Sequence, residues 1–353
     1  MASISSSRDA SQNEEPPEEP IPSPSHLDGI AYLYGHPLLN SLSPPLHQTI
    51  YNALGLRWSQ FPLSRVYATS KTYPPPYTIS PPVQKFVRHI RDAPKFVGSS
   101  VTMPWKVKVM EHLDDLTEEA RQIGACNTIF LRHDQKTNRR LLVGTNTDCI
   151  GIREAVFQNT SSKDIFKGKP GLIFGGGGTA RAAIYAMRKW LGCSKIYIVN
   201  RDKSEIEAIL REDRQRPASN LRNVKIIPVY DLVDLAGLEE YPAIIVSAIP
   251  NLPPRSADEI RARRILEGFL TSESKGAFLE MCYHPRPWTE LATLASRFGW
   301  NVILGSEALI WQGVEQAKLW TGTDIVEVPG LIQQIKNLVE RAIEERVAPK
   351  VNL

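Results

Sequence analysis

Lys106 stands just past the apolar run FVGSSVTMPW, and Asp148 ends the run RRLLVGTNTD. A free lysine amine titrates at about 10.4, too high for an efficient base near neutrality. A lysine that moves protons therefore needs a partly desolvating cleft and a carboxylate to fix its geometry. Lys106 and Asp148 are the residue types for that task. Around them the chain collects Ser41, Ser43, Thr102 and Asn127 at strand ends and turns. Hydroxyls can hold a carboxylate, amides and carboxylates can hold ring hydroxyls, and a lysine–aspartate pair can move a proton. The chemistry is that of a site for small hydroxylated acids. The alternative is a solvated loop lysine. Lys108, two residues on, shares the composition without the position and is the internal control.

A second kind of chemistry lies in GLIFGGGGTARAAIYAMRKWLG, a strand, a glycine turn and a helix. Gly175, Gly177 and Ala180 fit G-x-G-x-x-A. Gly175 allows the tight turn, Gly177 lets a pyrophosphate approach the backbone, and Ala180 lets helix and strand pack closely. Gly178 and Thr179 open the helix, whose free N–H groups suit phosphates. A glycine turn that merely joins two elements is the alternative. The next strand ends at Asn200, followed by Arg201, Asp202 and Lys203, where a dinucleotide's adenosine ribose would lie. An acid there accepts from a 2′-hydroxyl and repels a 2′-phosphate; a cation does the reverse. This turn has both, and Asp202 lies two residues past the usual acid position. A solvated charged turn is as good a reading as a selectivity role.

These residues need elements to position them. AYLYGH (Ala31–His36) reads as a buried strand, and PPLHQTIYNALG has helical spacing of Leu46, Ile50 and Leu54. FVGSSVTM is strand-like, Glu111–Gly124 reads as one helix closed by a glycine, and CNTIFLRHD with RRLLVGTNTD reads as a strand pair. After Gly171 strands and helices alternate, with VKIIPVY, AIIVSAI, GAFLEM and NVILG as short apolar strands. This predicts an α/β protein of two domains. One is a Rossmann-type dinucleotide-binding domain with a mostly parallel sheet, over 150–305. The other is an α/β substrate domain over 27–149. Two final helices, Ser306–Trp320 and Pro329–Val347, have no sheet partner of their own. They are expected to return to the first domain, so that 306–353 completes it and makes it discontinuous.

Length and composition agree with this. The 353 residues are 42% hydrophobic and 23% charged, enough for roughly two domains with cores. The net charge of +4 is spread thinly, without a dense Lys/Arg run, so nucleic acid is not the expected partner. The cysteines Cys126, Cys149, Cys193 and Cys282 lie far apart, in no metal-ligand spacing. This predicts a reduced, cytoplasmic compartment and no metal. No apolar run approaches the ~18 residues of a membrane helix. The polar, proline-rich residues 1–26 read as a disordered tail rather than a signal or transit segment. Oligomeric state is not legible.

Taken together, SLSP (Ser41–Pro44), VTMPWK (Val101–Lys106), GACNTI (Gly124–Ile129), GTNTDCIG (Gly144–Gly151), GGGGTARA (Gly175–Ala182), NRD (Asn200–Asp202), GSEALIWQG (Gly305–Gly313) and LWTG (Leu319–Gly322) closely resemble the shikimate/quinate dehydrogenase family. They come in the family's order and cover Ala31 to Gly322. The resemblance implies that Ser41 and Ser43 grip the substrate carboxylate. It implies that Thr102, Asn127 and Gln312 bond ring hydroxyls, and that Lys106 and Asp148 are the catalytic pair. Tyr283, in EMCYHP, matches a family tyrosine near substrate and cofactor, and Gly305 falls in a segment carried over to the cofactor site. Three departures stand out: Ser100 where the family usually has Asn, Ala308 where Met is common, and SAIPNLPP (Ser247–Pro254) in place of the segment that lines the nicotinamide pocket. Asp202 replaces the threonine that helps hold a 2′-phosphate. This points to NAD rather than NADP, and to oxidation of quinate to 3-dehydroquinate, with shikimate as a further substrate. An NADP-dependent shikimate dehydrogenase is the nearest alternative. A metabolite-sensing regulator without turnover is the alternative of another class, but it has no use for an intact lysine–aspartate pair.

Overall fold

The structure, a computed structural model, describes residues 21–347 except 37, 39–40, 68–76, 217–220, 222 and 284–285. Its first half contains β1 (Gly29–Tyr34), α1 (Ser43–Ala53), β2 (Trp58–Leu63), β3 (Arg65–Tyr67), β4 (Tyr77–Ile79), α2 (Val83–Asp92), β5 (Phe96–Val101), β6 (Asp115–Leu116), α3 (Glu118–Ile123), β7 (Thr128–Asp134) and β8 (Arg139–Thr145). Six of these strands form one sheet in the order β2-β1-β5-β7-β8-β6. β1 runs parallel to β2 and β5, while β7 runs antiparallel to β5 and β8. All six residues of β1 are buried, as a strand covered on both faces requires.

The second half contains α4 (Asp148–Gln158), β9 (Gly171–Phe174), α5 (Gly178–Ala186), β10 (Lys195–Val199), α6 (Lys203–Gln215), β11 (Lys225–Pro228), β12 (Ile244–Ser247), α7 (Ala257–Leu270), β13 (Ala277–Glu280), α8 (Glu290–Arg297) and β14 (Asn301–Leu304). The strands are all parallel in the order β11-β10-β9-β12-β13-β14. Numbered within this half, that is 3-2-1-4-5-6, the doubly wound order whose ligand crevice opens at the carboxyl ends of the strands. Two helices follow, α9 (Gly305–Thr321) and α10 (Leu331–Val347). They pack with α1 through Leu46, Ile50, Leu309, Val314, Leu331, Ile335 and Val339. α9 also packs along α4. Gly151 of α4 makes this possible, since a Cβ there would lie 2.4 Å from the Ala308 carbonyl oxygen.

The structure corrects the reading of Glu111–Gly124 as one helix. A 3-10 turn over Lys108–His112 is followed by the short strand β6 and only then by α3. Side chains that bond backbone amides break the helix, one by reaching across to β8 and two locally. Asp114 accepts from the Leu142 amide at 2.8 Å, Asp115 accepts from the Leu116 amide at 2.8 Å, and Thr117 caps α3 by accepting from the Ala120 amide at 3.3 Å. Gly124, at φ 70°, ends α3. Residues 1–20 of the expected tail lie outside the described residues. Residues 21–26 are tied to the first sheet: Ile21 packs against its core cluster, the Tyr32 hydroxyl donates to the Pro22 carbonyl at 2.8 Å, and Lys95 donates to the Ser25 carbonyl at 2.6 Å.

Candidate active site

Lys106 sits in the loop after β5, and Asp148 is the first residue of α4. The strand expected over RRLLVGTNTD stops at Thr145, short of Asp148. A carboxylate in the first turn of a helix is favoured by the helix dipole. Lys106 Nζ donates to Asp148 Oδ2, and the two side chains are 15% and 4% exposed. The pair is therefore largely withdrawn from water on the carboxylate side, with the amine reaching a partly open surface. Asp148 Oδ1 accepts from Asn127 Nδ2 at 2.8 Å, and the Asp148 amide donates to Asn146 Oδ1 at 3.0 Å. Both carboxylate oxygens and the backbone amide thus have fixed partners.

Asn127 ends a buried chain of hydrogen bonds that starts at the serine turn. Ser43 Oγ donates to Gln60 Oε1 at 2.9 Å, and Gln60 Nε2 donates to Ser100 Oγ at 3.0 Å. Ser100 Oγ donates to Gln316 Oε1 at 2.8 Å, and Gln316 Nε2 donates to Thr128 Oγ1 at 2.9 Å. Thr128 Oγ1 donates to Asn127 Oδ1 at 2.7 Å. Every member is buried, and every donor points the same way along the chain. Low local dielectric strengthens such a series and makes each broken link costly. His47 supports its first member. Its Nδ1 lies 2.9 Å from the Ser43 carbonyl oxygen, which can only accept, so Nδ1 carries the proton. Burial pushes the His47 imidazole down to about 4, which keeps it neutral near pH 7.

The remaining candidate substrate groups fall around this chain. Ser41 Oγ accepts from the Ser43 amide at 3.2 Å and is half-buried. The Thr102 amide donates to the Tyr34 carbonyl at 2.9 Å, fixing the loop that carries Lys106. Gln312 Oε1 accepts from Asn127 Nδ2 at 3.2 Å, so α9 places an amide beside the pair. Tyr283 packs on the α1–α9–α10 cluster. Gln60, Thr128 and Gln316 were not singled out from the sequence, and Ser100 stood out there only as a departure from the family pattern. One signal was there: Gln312 and Gln316 are four residues apart and so share a helix face.

Across the cleft, the glycine loop joins β9 to α5. Gly175 has φ 131°, and a Cβ there would meet the Ala248 carbonyl oxygen at 2.8 Å. A Cβ on Gly177 would meet nothing within 4 Å, so the loop borders open space. Among the described residues no side chain caps α5, whose first turn is Gly178, Thr179 and Ala180. Open space before an uncapped helix N-terminus fits a dinucleotide's pyrophosphate. Gly178 also ties this loop to the pair, because a Cβ there would lie 3.3 Å from Lys106 Cδ. At the second turn, Asn200 Nδ2 donates to Glu205 Oε2 at 2.5 Å, Asp202 caps α6 by accepting from the Ser204 amide at 2.8 Å, and Arg201 is ion-paired with Glu259. The Ser204 hydroxyl and amide hold the Asp202 carboxyl below its ordinary range. At the end of β13, Glu280 is buried and accepts from Thr289 Oγ1 at 2.9 Å and the Cys282 amide at 3.0 Å; burial pushes its carboxyl up to about 7. Gly305 lies against this segment, where a Cβ would meet the Glu280 carbonyl oxygen at 2.6 Å.

Comparison with known proteins bears directly on this arrangement. Residues 33–129 match the shikimate dehydrogenase substrate binding domain. A quinate dehydrogenase of Emericella nidulans is 59% identical over 333 residues, covering 93% of this chain and 98% of the relative. The chain belongs to the shikimate/quinate dehydrogenase family. A more distant member is the pentafunctional AROM polypeptide of Saccharomyces cerevisiae, 32% identical over 82% of this chain; the chain spans only 17% of that polypeptide. Among solved structures, a shikimate dehydrogenase in complex with NADP+ is 25% identical, with TM-score 0.64, over 91% of this chain and 96% of that one. The dehydroquinate dehydratase and shikimate dehydrogenase portion of the S. pombe AroM protein is 30% identical, with TM-score 0.63, over 87% of this chain and 53% of that one.

Proposed function

We propose that this protein oxidises quinate to 3-dehydroquinate with NAD, and also accepts shikimate. The observation that carries the reading is the Lys106–Asp148–Asn127 constellation lying against the start of α5. Bound nicotinamide dinucleotide supplies the hydride acceptor. Lys106 takes the hydroxyl proton as the carbon–oxygen double bond forms, and returns it to the carbonyl oxygen in the reverse direction. Asp148 orients the amine and offsets its charge, and Asn127 holds Asp148. Gln312 and Thr102 reach the ring hydroxyls, and the serine turn takes the carboxylate. In this reading 27–149 with 306–353 is the substrate domain and 150–305 the cofactor domain.

Quinate is favoured by the 59% identity to a quinate dehydrogenase over nearly the whole of both chains. NAD is favoured by Asp202, whose carboxylate stands in the turn where a 2′-phosphate would lie. The second reading, an NADP-dependent shikimate dehydrogenase, draws on the NADP+ complex of a solved relative. A cytoplasmic location suits four free cysteines, and among the described residues no helix is long and apolar enough to cross a membrane. One assay separates the readings: the purified protein with quinate and with shikimate, each with NAD and NADP. The highest kcat/KM is expected for quinate with NAD. A highest value for shikimate with NADP would replace the first reading by the second.

A further inference from the structure

The adenosine side of the cleft is lined by Arg201, Asp202, Lys203, Ser256, Asp258 and Glu259. Three of these are acids and two are bases, so the cavity is not the cationic pocket that a phosphate monoester prefers. Arg201 is the cation best placed by sequence to meet a 2′-phosphate. Its Nη1 is engaged by Glu259 Oε1, a residue of another βα unit at the start of α7. Glu259 is not free to swing aside. Its second oxygen accepts from the Arg255 amide at 2.9 Å and the Ser256 amide at 2.9 Å, and with Ser256 it forms the capping box of α7. These backbone donors, with Arg201, hold its carboxyl down to about 2, so it is charged throughout the working range. Lys203, the other cation, lies 5.2 Å over the Tyr230 ring.

We infer that Glu259 is a specificity-determining residue for the cofactor: it occupies Arg201 and so denies that guanidinium to a 2′-phosphate. This rests on the reading of the turn after β10 as the adenosine-ribose site, and it adds a determinant from outside that turn. A cofactor with a free 2′-hydroxyl leaves the Arg201–Glu259 pair intact. A 2′-phosphate must compete with Glu259 for the guanidinium, whose Nη1 is already engaged, and does so beside a backbone-anchored carboxylate. Asp202 repels it from the other side, so the two acids act on one phosphate from separate elements.

The test is binding, measured by calorimetry without substrate. The probes are adenosine 2′,5′-bisphosphate and 5′-AMP, which differ only in the 2′-phosphate. Glu259→Gln keeps a residue that suits the capping box, and a thermal melt checks that the fold is retained. The bisphosphate-to-AMP affinity ratio is expected to rise about tenfold in Glu259→Gln. That rise should vanish in Arg201→Met/Glu259→Gln, because it acts through Arg201. Glu259→Asp, with the carboxylate drawn back by one methylene, should raise the ratio by less. A ratio unmoved by Glu259→Gln, or moved equally with and without Arg201, overturns the inference. The wild-type NAD-to-NADP ratio tests the cofactor reading separately. A wild type that prefers NADP would end that reading, while the change on mutation would still decide the role of Glu259.

Discussion

Lys106 and Lys108 are two residues apart in the same loop, and their surroundings differ in what proton transfer needs. Lys106 is paired with a buried carboxylate, whereas Lys108 is exposed, with its amine 5.8 Å over the Trp105 ring. Lys106→Ala is expected to lower kcat by about 10²–10⁴, the usual range for a lost general acid/base, with a much smaller change in quinate binding. Lys108→Ala should leave steady-state kinetics nearly unchanged. Equal losses at both positions would remove Lys106 from the proposed chemistry. The two serines should also separate. Ser41 is half-buried at the turn, while Ser43 is buried with its hydroxyl donated to Gln60. Losing a hydrogen bond to a charged group costs about 1.5–3 kcal/mol, so Ser41→Ala should raise KM about tenfold or more. A substrate analogue without the carboxylate should show no such loss. Ser43→Ala should in addition lower the thermal midpoint of the free protein, because it leaves the Gln60 carbonyl without its donor.

At the scale of elements, α9 joins the two halves of the site. It carries Gln312 beside Asn127 and, one turn on, Gln316 between Ser100 and Thr128. Gln316→Met keeps a side chain of similar length but removes both amide functions. It leaves the buried Ser100 hydroxyl without its acceptor and Thr128 Oγ1 without one donor, at a cost of about 1–3 kcal/mol, which urea denaturation would report. The same change removes the bond that orients the Thr128 hydroxyl toward Asn127. kcat is therefore expected to fall in the folded variant, more than KM rises. A destabilised variant with an unaltered kcat would show that Gln316 serves the packing of α9 alone.

Across the whole molecule, the pH dependence of stability should carry the mark of Glu280. The native state holds a proton on this carboxyl up to about pH 7, while its ordinary value is 4.5. Between those values the unfolded chain has released a proton that the native state retains, so rising pH favours unfolding. The stabilisation is complete below about 4.5 and is lost as pH passes 7, by about 3 kcal/mol at most. Buried, neutral His47 acts in the opposite sense below about pH 6.5 and is common to both proteins, so the reading is the denaturation midpoint of the wild type minus that of Glu280→Gln, which should fall from pH 5 to 8. Glu280→Gln, which cannot ionise, lacks the loss on ionisation and should gain on the wild type toward pH 8. Parallel curves for the two proteins would mean that Glu280 is ionised in the native state throughout this range.

The amino-acid sequence by itself determined the elements whose signals are local. Short apolar runs bounded by Gly, Pro and Asn named the strands of the parallel sheet, and the glycine spacing between β9 and α5 marked the open turn at Gly177. The two final helices were legible as segments that follow the last strand without a sheet partner of their own. Local signals also misled where they conflicted. Asp115 and Thr117 sit in a helical apolar pattern, yet their side chains bond adjacent backbone amides, and Asp114 is drawn to the Leu142 amide of β8, so the helix breaks. What only the tertiary structure decided is which distant side chains meet. Gln60, Ser100, Gln316 and Thr128 come from β2, β5, α9 and β7, and they form one hydrogen-bonded chain because sheet pairing and the return of α9 bring them together. The pairing of Arg201 with Glu259 likewise joins two βα units that spacing along the chain does not relate. Backbone propensity acts over a few residues, whereas a buried polar group takes whichever partner the packed core brings within reach.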